Sequence, residues 1–464
     1  MDERTNHLKA INFFKDPRIQ AAKKLIQEAV EDHQSHLSLS NQPVKELQEE
    51  YQKLLETFSQ LRGGKLYYPY VGSGFGNGPL VELMDGSVKF DMISGIGPHY
   101  WGHTHPEIIT IAIEAALSDT VMQGHLQQNI DAYEYCSLLK RASGLDHCFL
   151  TSSGAMANEN ALKIAFQKNH PAERILAFEH CFMGRSLTLS QITDKAAYRE
   201  GLPMNIHVDY LPFFREDRPE ESTQLALQKL KEYISRYPKQ HAILCLEMIQ
   251  GEGGFHVGDK KFFRAIMEQC RSHQIAVMVD EIQTFGRTTE LFAYQYFQLE
   301  DLVDIVSIGK LSQVCATLFR SNYKPKPGLL SQTFTSSTIA IKTGRYIVEQ
   351  LLKEQYFGKD GKIAKIHTYF TNHFLQIKKR HPHLIHGPFG VGAMIAFTPF
   401  NGEDAKVTSF LQKLFQAGVI AFSAGSRPMR VRFLPPIGAL SYHDIDEVCK
   451  IVEEVLLECD KEKE

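Results

Sequence analysis

Along the first 65 residues, apolar positions recur at intervals of three and four. Ile19, Ala22, Leu25, Ile26 and Val30 form one such run, and Leu47, Tyr51, Leu54 and Leu55 form another, which predicts two amphipathic helices. Asn41-Gln42-Pro43 separates them. Residues 1–65 therefore read as a helical extension that packs on the body of the protein or on a partner subunit. The texture changes at Gly63-Gly64, where a stretch carrying Gly72, Gly74, Gly76 and Gly78 leads into Leu80-Val81-Glu82-Leu83 and Val88-Lys89-Phe90. Asp85-Gly86 lies between these two runs, the signature of a hairpin. A helical pattern follows His103-Thr104-His105-Pro106.

From about residue 147, short apolar runs alternate with helical segments. Cys148-Phe149-Leu150, Ile175 to Phe178, Ala242 to Leu246, Ala276 to Val279 and Ile305-Val306 are the expected strands. Such alternation predicts an α/β fold in which helices cover a mostly parallel sheet. Beyond about residue 345 the pattern becomes helix, strand (Gly392 to Phe397), helix and a final strand at Arg430 to Phe433. The expected organisation is an extension (1–65), the N-terminal part of a small domain (66–115), a large domain (116–345) and a C-terminal small α+β domain (346–464).

Composition narrows the field mainly by exclusion. A chain of 464 residues that is 43% hydrophobic and 23% charged can bury a sizeable core and has no low-complexity segment. Fifty-one basic against 54 acidic residues give a formal charge of -3, so the chain as a whole has no electrostatic bias toward nucleic acid or an anionic membrane. The start, Met1-Asp2-Glu3-Arg4, lacks the basic and apolar regions of a secretory signal, and no apolar run approaches the roughly 20 residues that cross a bilayer. A cytoplasmic protein without a membrane span is expected. The eight cysteines are scattered singly, without a CxxC pair or interleaved histidines, so reduced thiols and no metal site are expected.

In an open α/β sheet, ligands bind beyond the carboxyl ends of the strands, so the residues just after each strand hold the candidate chemistry. Thr151-Ser152-Ser153-Gly154-Ala155 precedes a helix, and the N–H groups of such a turn suit a phosphate, although a plain helix cap has the same composition. Asp280 ends the strand at 276–279, where a buried carboxylate needs a cation or a protonated heteroatom unless it merely caps a helix. Lys310 follows the strand at 305–308. Desolvated there it would be an amine nucleophile; exposed, it would be a surface lysine. Together, a phosphate cup, an acid for a ring nitrogen and a Schiff-base lysine are what pyridoxal phosphate chemistry requires.

Several motifs, in order along the chain from about residue 66 onward, resemble class III (ω-amino) aminotransferases, which are fold-type I pyridoxal-phosphate enzymes. Val279-Asp280-Glu281-Ile282-Gln283 and Asp304 to Lys310 look like the family signature. Asp91 to Gly95 with Gly102 to Pro106, Ser153 to Glu159, Phe182-Met183-Gly184-Arg185, Glu247 to Gly254 and Val431 to Pro436 resemble further family motifs. The resemblance implies that Lys310 holds pyridoxal 5'-phosphate and moves the proton, that Asp280 keeps the ring nitrogen protonated, and that Gln283 hydrogen-bonds the ring hydroxyl. It also implies that Ser153, Gly154 and Ala155 hold the phosphate, that Phe182 stacks on the ring, and that Thr333 reaches the phosphate of a neighbouring subunit in a homodimer with shared active sites.

For substrates, the resemblance implies that Glu252 pairs with Arg432 while an amine donor is bound and swings away when 2-oxoglutarate or glutamate enters. Arg185 would take a second carboxylate. Gly309 to Cys315 looks most like lysine 6-aminotransferases. Ile96 stands where ornithine aminotransferases have tyrosine and 4-aminobutyrate aminotransferases isoleucine. Met183, Thr335-Ser336-Ser337 and the shortened segment after Gln283 depart from the family pattern around the substrate mouth. The expected activity is transfer of a terminal amino group to 2-oxoglutarate. The alternatives are an aminomutase, racemase or decarboxylase on the same fold, or a non-catalytic relative.

Overall fold

The computed structural model describes residues 8–122, 124–353 and 355–461; the opening Met1-Asp2-Glu3-Arg4 lies outside them. The centre is a seven-stranded sheet whose strands, numbered in chain order, are β1 (His147–Thr151), β2 (Arg174–Phe178), β3 (His207–Leu211), β4 (His241–Leu246), β5 (Ala276–Asp280), β6 (Ile305–Ile308) and β7 (Cys315–Phe319). Their spatial order is β1-β7-β6-β5-β4-β2-β3. Strands β2 to β6 pair in parallel, while β7 runs antiparallel to both β6 and β1. The expected mostly parallel sheet is present, with β3 and β7 added to the strands expected from the apolar runs.

Every residue of β4, β5 and β6 is buried, because helices cover both faces. Ile243 and Cys245 pack into one apolar layer with Leu162 and Ile164, whereas Leu244 and Leu246 pack into the opposite layer with Phe262 and Ile266. This is the two-residue period of a strand expressed as two cores. Helix Lys260–Ser272 presents Phe262, Phe263, Ile266, Met267 and Cys270 to that second layer, and the Asp259 side chain caps its start by accepting from Lys261 and Phe262 N–H.

Smaller sheets flank the centre. Gly72–Asn77, Leu80–Leu83 and Val88–Asp91 form the expected hairpin and its neighbour, and Val419–Ile420 joins alongside Phe90-Asp91. A second sheet has the order Ile385–Val391, Met394–Pro399, Arg430–Phe433, Phe422–Ala424. The strand expected over 392–397 is Met394–Pro399, and an antiparallel strand not expected from the pattern, Ile385–Val391, turns into it at Gly392-Ala393. Gly392 has φ +59°, and a Cβ there would lie 2.1 Å from the Arg287 carbonyl, so this close approach needs glycine. Helix Thr338–Lys353 runs through residue 345, so the boundary expected there falls inside one element. Among the described residues, no helix is long and apolar enough to cross a membrane.

The extension contains α1 (Lys9–Phe14), α2 (Pro17–Ser35) and α3 (Gln48–Arg62). Leu25 and Ile26 of the expected apolar stripe remain exposed, and the buried side chain of α2 is Gln34. The reason is that α2 is held by polar contacts. Gln34 Nε2 donates to the carbonyls of Gly76 and Thr104, both at 2.8 Å, and Lys23 Nζ lies 2.6 Å from Glu114 Oε2. Between α2 and α3, Ser40 and Val88 exchange backbone hydrogen bonds in an isolated antiparallel bridge.

Arg287 ties three of these parts together. Its side chain is almost wholly buried and donates to the carbonyls of Gly97 (2.8 Å), Pro435 (3.2 Å) and Ala393 (3.3 Å). Burial pushes its pKa down to about 10. A planar guanidinium serves three separated acceptors, which a point-like ammonium cannot. Arg287→Lys is expected to lower the unfolding free energy by about 2–4 kcal/mol. Denaturant titration tests this; an unchanged midpoint and slope would remove Arg287 from the account of the fold.

Candidate active site

The carboxyl ends of β1, β5 and β6 open on a cavity of about 500 Å³. Asp280, the last residue of β5, stands at its floor. Its Oδ1 accepts the Ile282 N–H at 2.9 Å and its Oδ2 accepts Asn158 Nδ2 at 2.7 Å. The same Asn158 amide donates to the Met183 carbonyl at 2.7 Å, fixing the carboxylate and the wall beside it as one unit. Burial pushes Asp280 up to about 6 against these hydrogen bonds and the Lys310 charge.

Lys310 follows β6, where the chain reverses into β7. It has φ +53° and Gln313 has φ +60°, conformations that cost a non-glycine residue about 1–3 kcal/mol each. The reversal leaves the lysine amine at the strand's end, facing the cavity it lines. Burial, helped by the Arg432 charge, pushes Lys310 down to about 8, while Asp280, Glu247 and Glu252 pull the other way. Glu247 follows β4. Its carboxylate accepts the N–H groups of Phe182 (2.9 Å) and Gly251 (3.0 Å), and burial together with the Asp280 charge raises it to about 8.

Arg432, on strand Arg430–Phe433, is 1% exposed. Its Nη2 donates to Glu252 Oε2 at 2.8 Å, and its Nη1 donates to the Gly251 carbonyl at 3.1 Å and to Gln283 Oε1 at 3.4 Å. Its Nε has no acceptor among the described residues. Glu252 is the more accessible partner, and its Oε1 faces the Tyr198 hydroxyl at 3.5 Å and Lys195 Nζ at 3.8 Å. At the mouth, exposed Arg185 lies 3.7 Å over the Tyr198 ring.

Of the residues expected from the sequence, Lys310, Asp280, Gln283, Glu252, Arg432, Arg185, Phe182, Ile96, Gly154 and Ala155 all line this one cavity. Ser153 does not line it. Its hydroxyl caps helix Gly154–Lys168 by accepting the Met156 N–H at 3.2 Å. Thr333 is exposed and also lies outside the lining. Ile96 has φ +64°, a strained conformation for a β-branched residue. Tyr198, Glu247, Ile282 and Phe422 line the cavity without having been expected as site residues. Glu247 could have been found, since it too ends an apolar strand with a carboxylate. Tyr198 ends a three-residue 3-10 helix, Ala196–Tyr198, too short to carry a periodic signal.

The class-III aminotransferase profile matches residues 73–456. Acetylornithine aminotransferase of Methanocaldococcus jannaschii is 28% identical over 400 residues, covering 83% of this chain and 93% of that protein. Acetylornithine aminotransferase of Oceanobacillus iheyensis is 28% identical over 398 residues, covering 82% and 92%. Among solved structures, lysine aminotransferase from M. tuberculosis superimposes with a TM-score of 0.78 at 23% identity, covering 87% of this chain and 99% of that one. Ornithine aminotransferase from Toxoplasma gondii gives 0.77 at 21% identity, covering 89% and 96%. The chain belongs to the class-III aminotransferases. It is a pyridoxal-phosphate-dependent transaminase, whose substrates are an amino-acid or amine donor and a keto-acid acceptor.

Pyridoxal phosphate fits the residues present. Asp280 offers an anchored carboxylate at the floor, and Lys310 offers an amine of lowered basicity. Gly154 and Ala155 contribute the first N–H groups of a helix, which have no intrahelical acceptor and point where an anion is favoured. In cofactor-free protein, competitive acetylation as a function of pH is expected to show Lys310 titrating near its lowered value of about 8. Titration near the ordinary lysine value of 10.5 would contradict the described burial.

Proposed function

We propose that this enzyme moves the terminal amino group of an amino acid to 2-oxoglutarate, working as a dimer with shared active sites. The observation that carries the reading is the Glu252–Arg432 pair, in which a nearly inaccessible guanidinium meets a carboxylate that remains partly exposed. The names of the curated relatives and of the structural neighbours, which concern acetylornithine, lysine and ornithine, support a terminal-amine donor.

Bound pyridoxal phosphate supplies the carbon that accepts and returns the amino group and the ring that stores the electron pair. Lys310 Nζ would hold the cofactor covalently and would carry the proton to and from the substrate carbon. Asp280, fixed by Asn158 and the Ile282 N–H, holds the proton on the ring nitrogen. Gln283 hydrogen-bonds the ring hydroxyl, and Phe182 covers the ring face. Gly154 and Ala155 take the phosphate through their N–H groups, and Ser153 sets the start of that helix. Thr333, exposed on its own subunit, serves the phosphate of a second copy.

The acceptor and the donor present different charges to Arg432. A terminal-amine donor brings no carboxylate to that place, and an unpaired buried guanidinium would cost several kcal/mol, so Glu252 neutralises it. The α-carboxylate of 2-oxoglutarate can replace Glu252, whose accessible side lets it move toward Lys195 and Tyr198. Arg185, which has no carboxylate partner among the described residues, takes the second carboxylate at the mouth, and Ile96 bounds the donor side.

A screen of ω-amino donors against 2-oxoglutarate is expected to yield glutamate with at least one basic or ω-amino acid; glutamate from none of them would overturn the reading. In rapid-mixing spectra, Glu252→Ala is expected to spare or speed the half-reaction with glutamate and to lower the preference for the ω-amine donor by about tenfold or more. An equal loss in both half-reactions would make Glu252 a fixed ion-pair partner.

A further inference from the structure

A second cavity, of about 420 Å³, lies between the extension and the small sheet, and it shares no lining residue with the active site. One wall comes from the 41–43 segment and α3, which precede the part of the chain matched by the family profile. The others come from the Asp85 turn, strand Val88–Asp91 and helix Asp404–Gln416. The lining is rich in carboxamides, with Gln48 and Gln412 on opposite sides.

Two charged side chains in this lining, Lys89 and Asp85, are largely buried and form no ion pair with each other. Lys89 is 3% exposed, yet its Nζ makes only one long contact, 3.5 Å to the Asn41 carbonyl, and otherwise lies 5.0 Å from the centre of the Phe415 ring. No carboxylate of the described residues forms an ion pair with it. Asp85 is 7% exposed and accepts the Ser87 N–H (3.0 Å) and hydroxyl (2.6 Å) through Oδ1 alone, which leaves Oδ2 without a described donor. Asp85 favours the charged form of Lys89 against its burial although no ion pair joins them, so the two present opposite charges to one cavity, the arrangement that a zwitterion complements.

We propose that this cavity binds a free α-amino acid, its carboxylate on Lys89, its ammonium toward Asp85, and a polar side chain among the carboxamides. Size agrees, since 420 Å³ accommodates a molecule of this class with ordered water. The strand that carries Lys89 ends in Asp91, whose Oδ1 accepts the N–H groups of Ile93 and Ser94 at the start of the turn that holds Ile96 in the active-site wall. An occupant would therefore sit one strand away from the donor pocket.

The test uses the full chain as holoenzyme, its cofactor trapped with aminooxyacetate so that the active site takes no amino acid. Each protein amino acid is added at about 10 mM and thermal unfolding is followed, with calorimetric titration of those that respond. At least one is expected to raise the midpoint by several degrees and to bind about one per chain, while acetate and inorganic phosphate do neither. Lys89→Met is expected to abolish the response and to unfold at or above the wild-type temperature without ligand, because it removes the desolvation cost of a buried ammonium that has no ion-pair partner among the described residues. A Lys89 that served only to hold Asn41 would give a lower temperature instead. Gln412→Ala, at a half-buried position, is expected to weaken binding several-fold and decides the matter if Lys89→Met does not fold. Failure of every amino acid to stabilise the trapped enzyme, equal stabilisation by acetate or phosphate, or undiminished binding in both variants would overturn the proposal.

Discussion

The burial of Arg432 constrains everything around it. A guanidinium that is 1% exposed must be neutralised and hydrogen-bonded, and the chain does so with one carboxylate, one carbonyl and one carboxamide while leaving Nε open. Its charge in turn lowers the basicity of Lys310, and the acids Asp280, Glu247 and Glu252 oppose that effect. Moving any one of these groups changes the cost of the others, since all but the partly exposed Glu252 are buried. The cavity is a charge-balanced set rather than a collection of independent residues.

Holding that set requires backbone conformations that a relaxed chain would avoid. Lys310 at φ +53° and Ile96 at φ +64° both line the cavity, in segments that adjoin: a Cβ on Gly97 would lie 3.5 Å from Lys310 Cδ. Both are braced from outside. Arg287 donates to the Gly97 carbonyl beside Ile96, and Gln313 Nε2 donates to the Pro98 carbonyl, linking the Lys310 reversal to the Ile96 turn. Strain at the reactive residues is thus sustained by hydrogen bonds from residues that take no part in the chemistry.

Much of this could be read from the order of residues, for specific reasons. Strands β4, β5 and β6 are covered on both faces and so appear as unbroken apolar runs, and the acid or amine after each run marks the carboxyl end of the sheet. Strand β7, Cys-Ala-Thr-Leu-Phe, was not expected because its direction depends on the reversal after Lys310, which has no glycine to announce it. The sequence pattern starts a strand at Gly392, where the structure has a turn, because the close approach to Arg287 that demands glycine is a tertiary contact. Tyr198 and Lys195 belong to a single 3-10 turn and its N-cap, and their relation to Glu252 exists only once the chain has folded. In α2, periodicity indicated the helix correctly but not its attachment, since the side chain it buries is Gln34 and not the apolar stripe.

The central claim is that one buried arginine serves two unlike substrates because its carboxylate partner can leave. A crystal structure of the enzyme in its amine-loaded form with 2-oxoglutarate bound tests this most directly. The account predicts that Glu252 will have left Arg432, with the separation of 2.8 Å between Oε2 and Nη2 lost and the acceptor's α-carboxylate in its place. Glu252 still paired with Arg432 while 2-oxoglutarate is held elsewhere would contradict it.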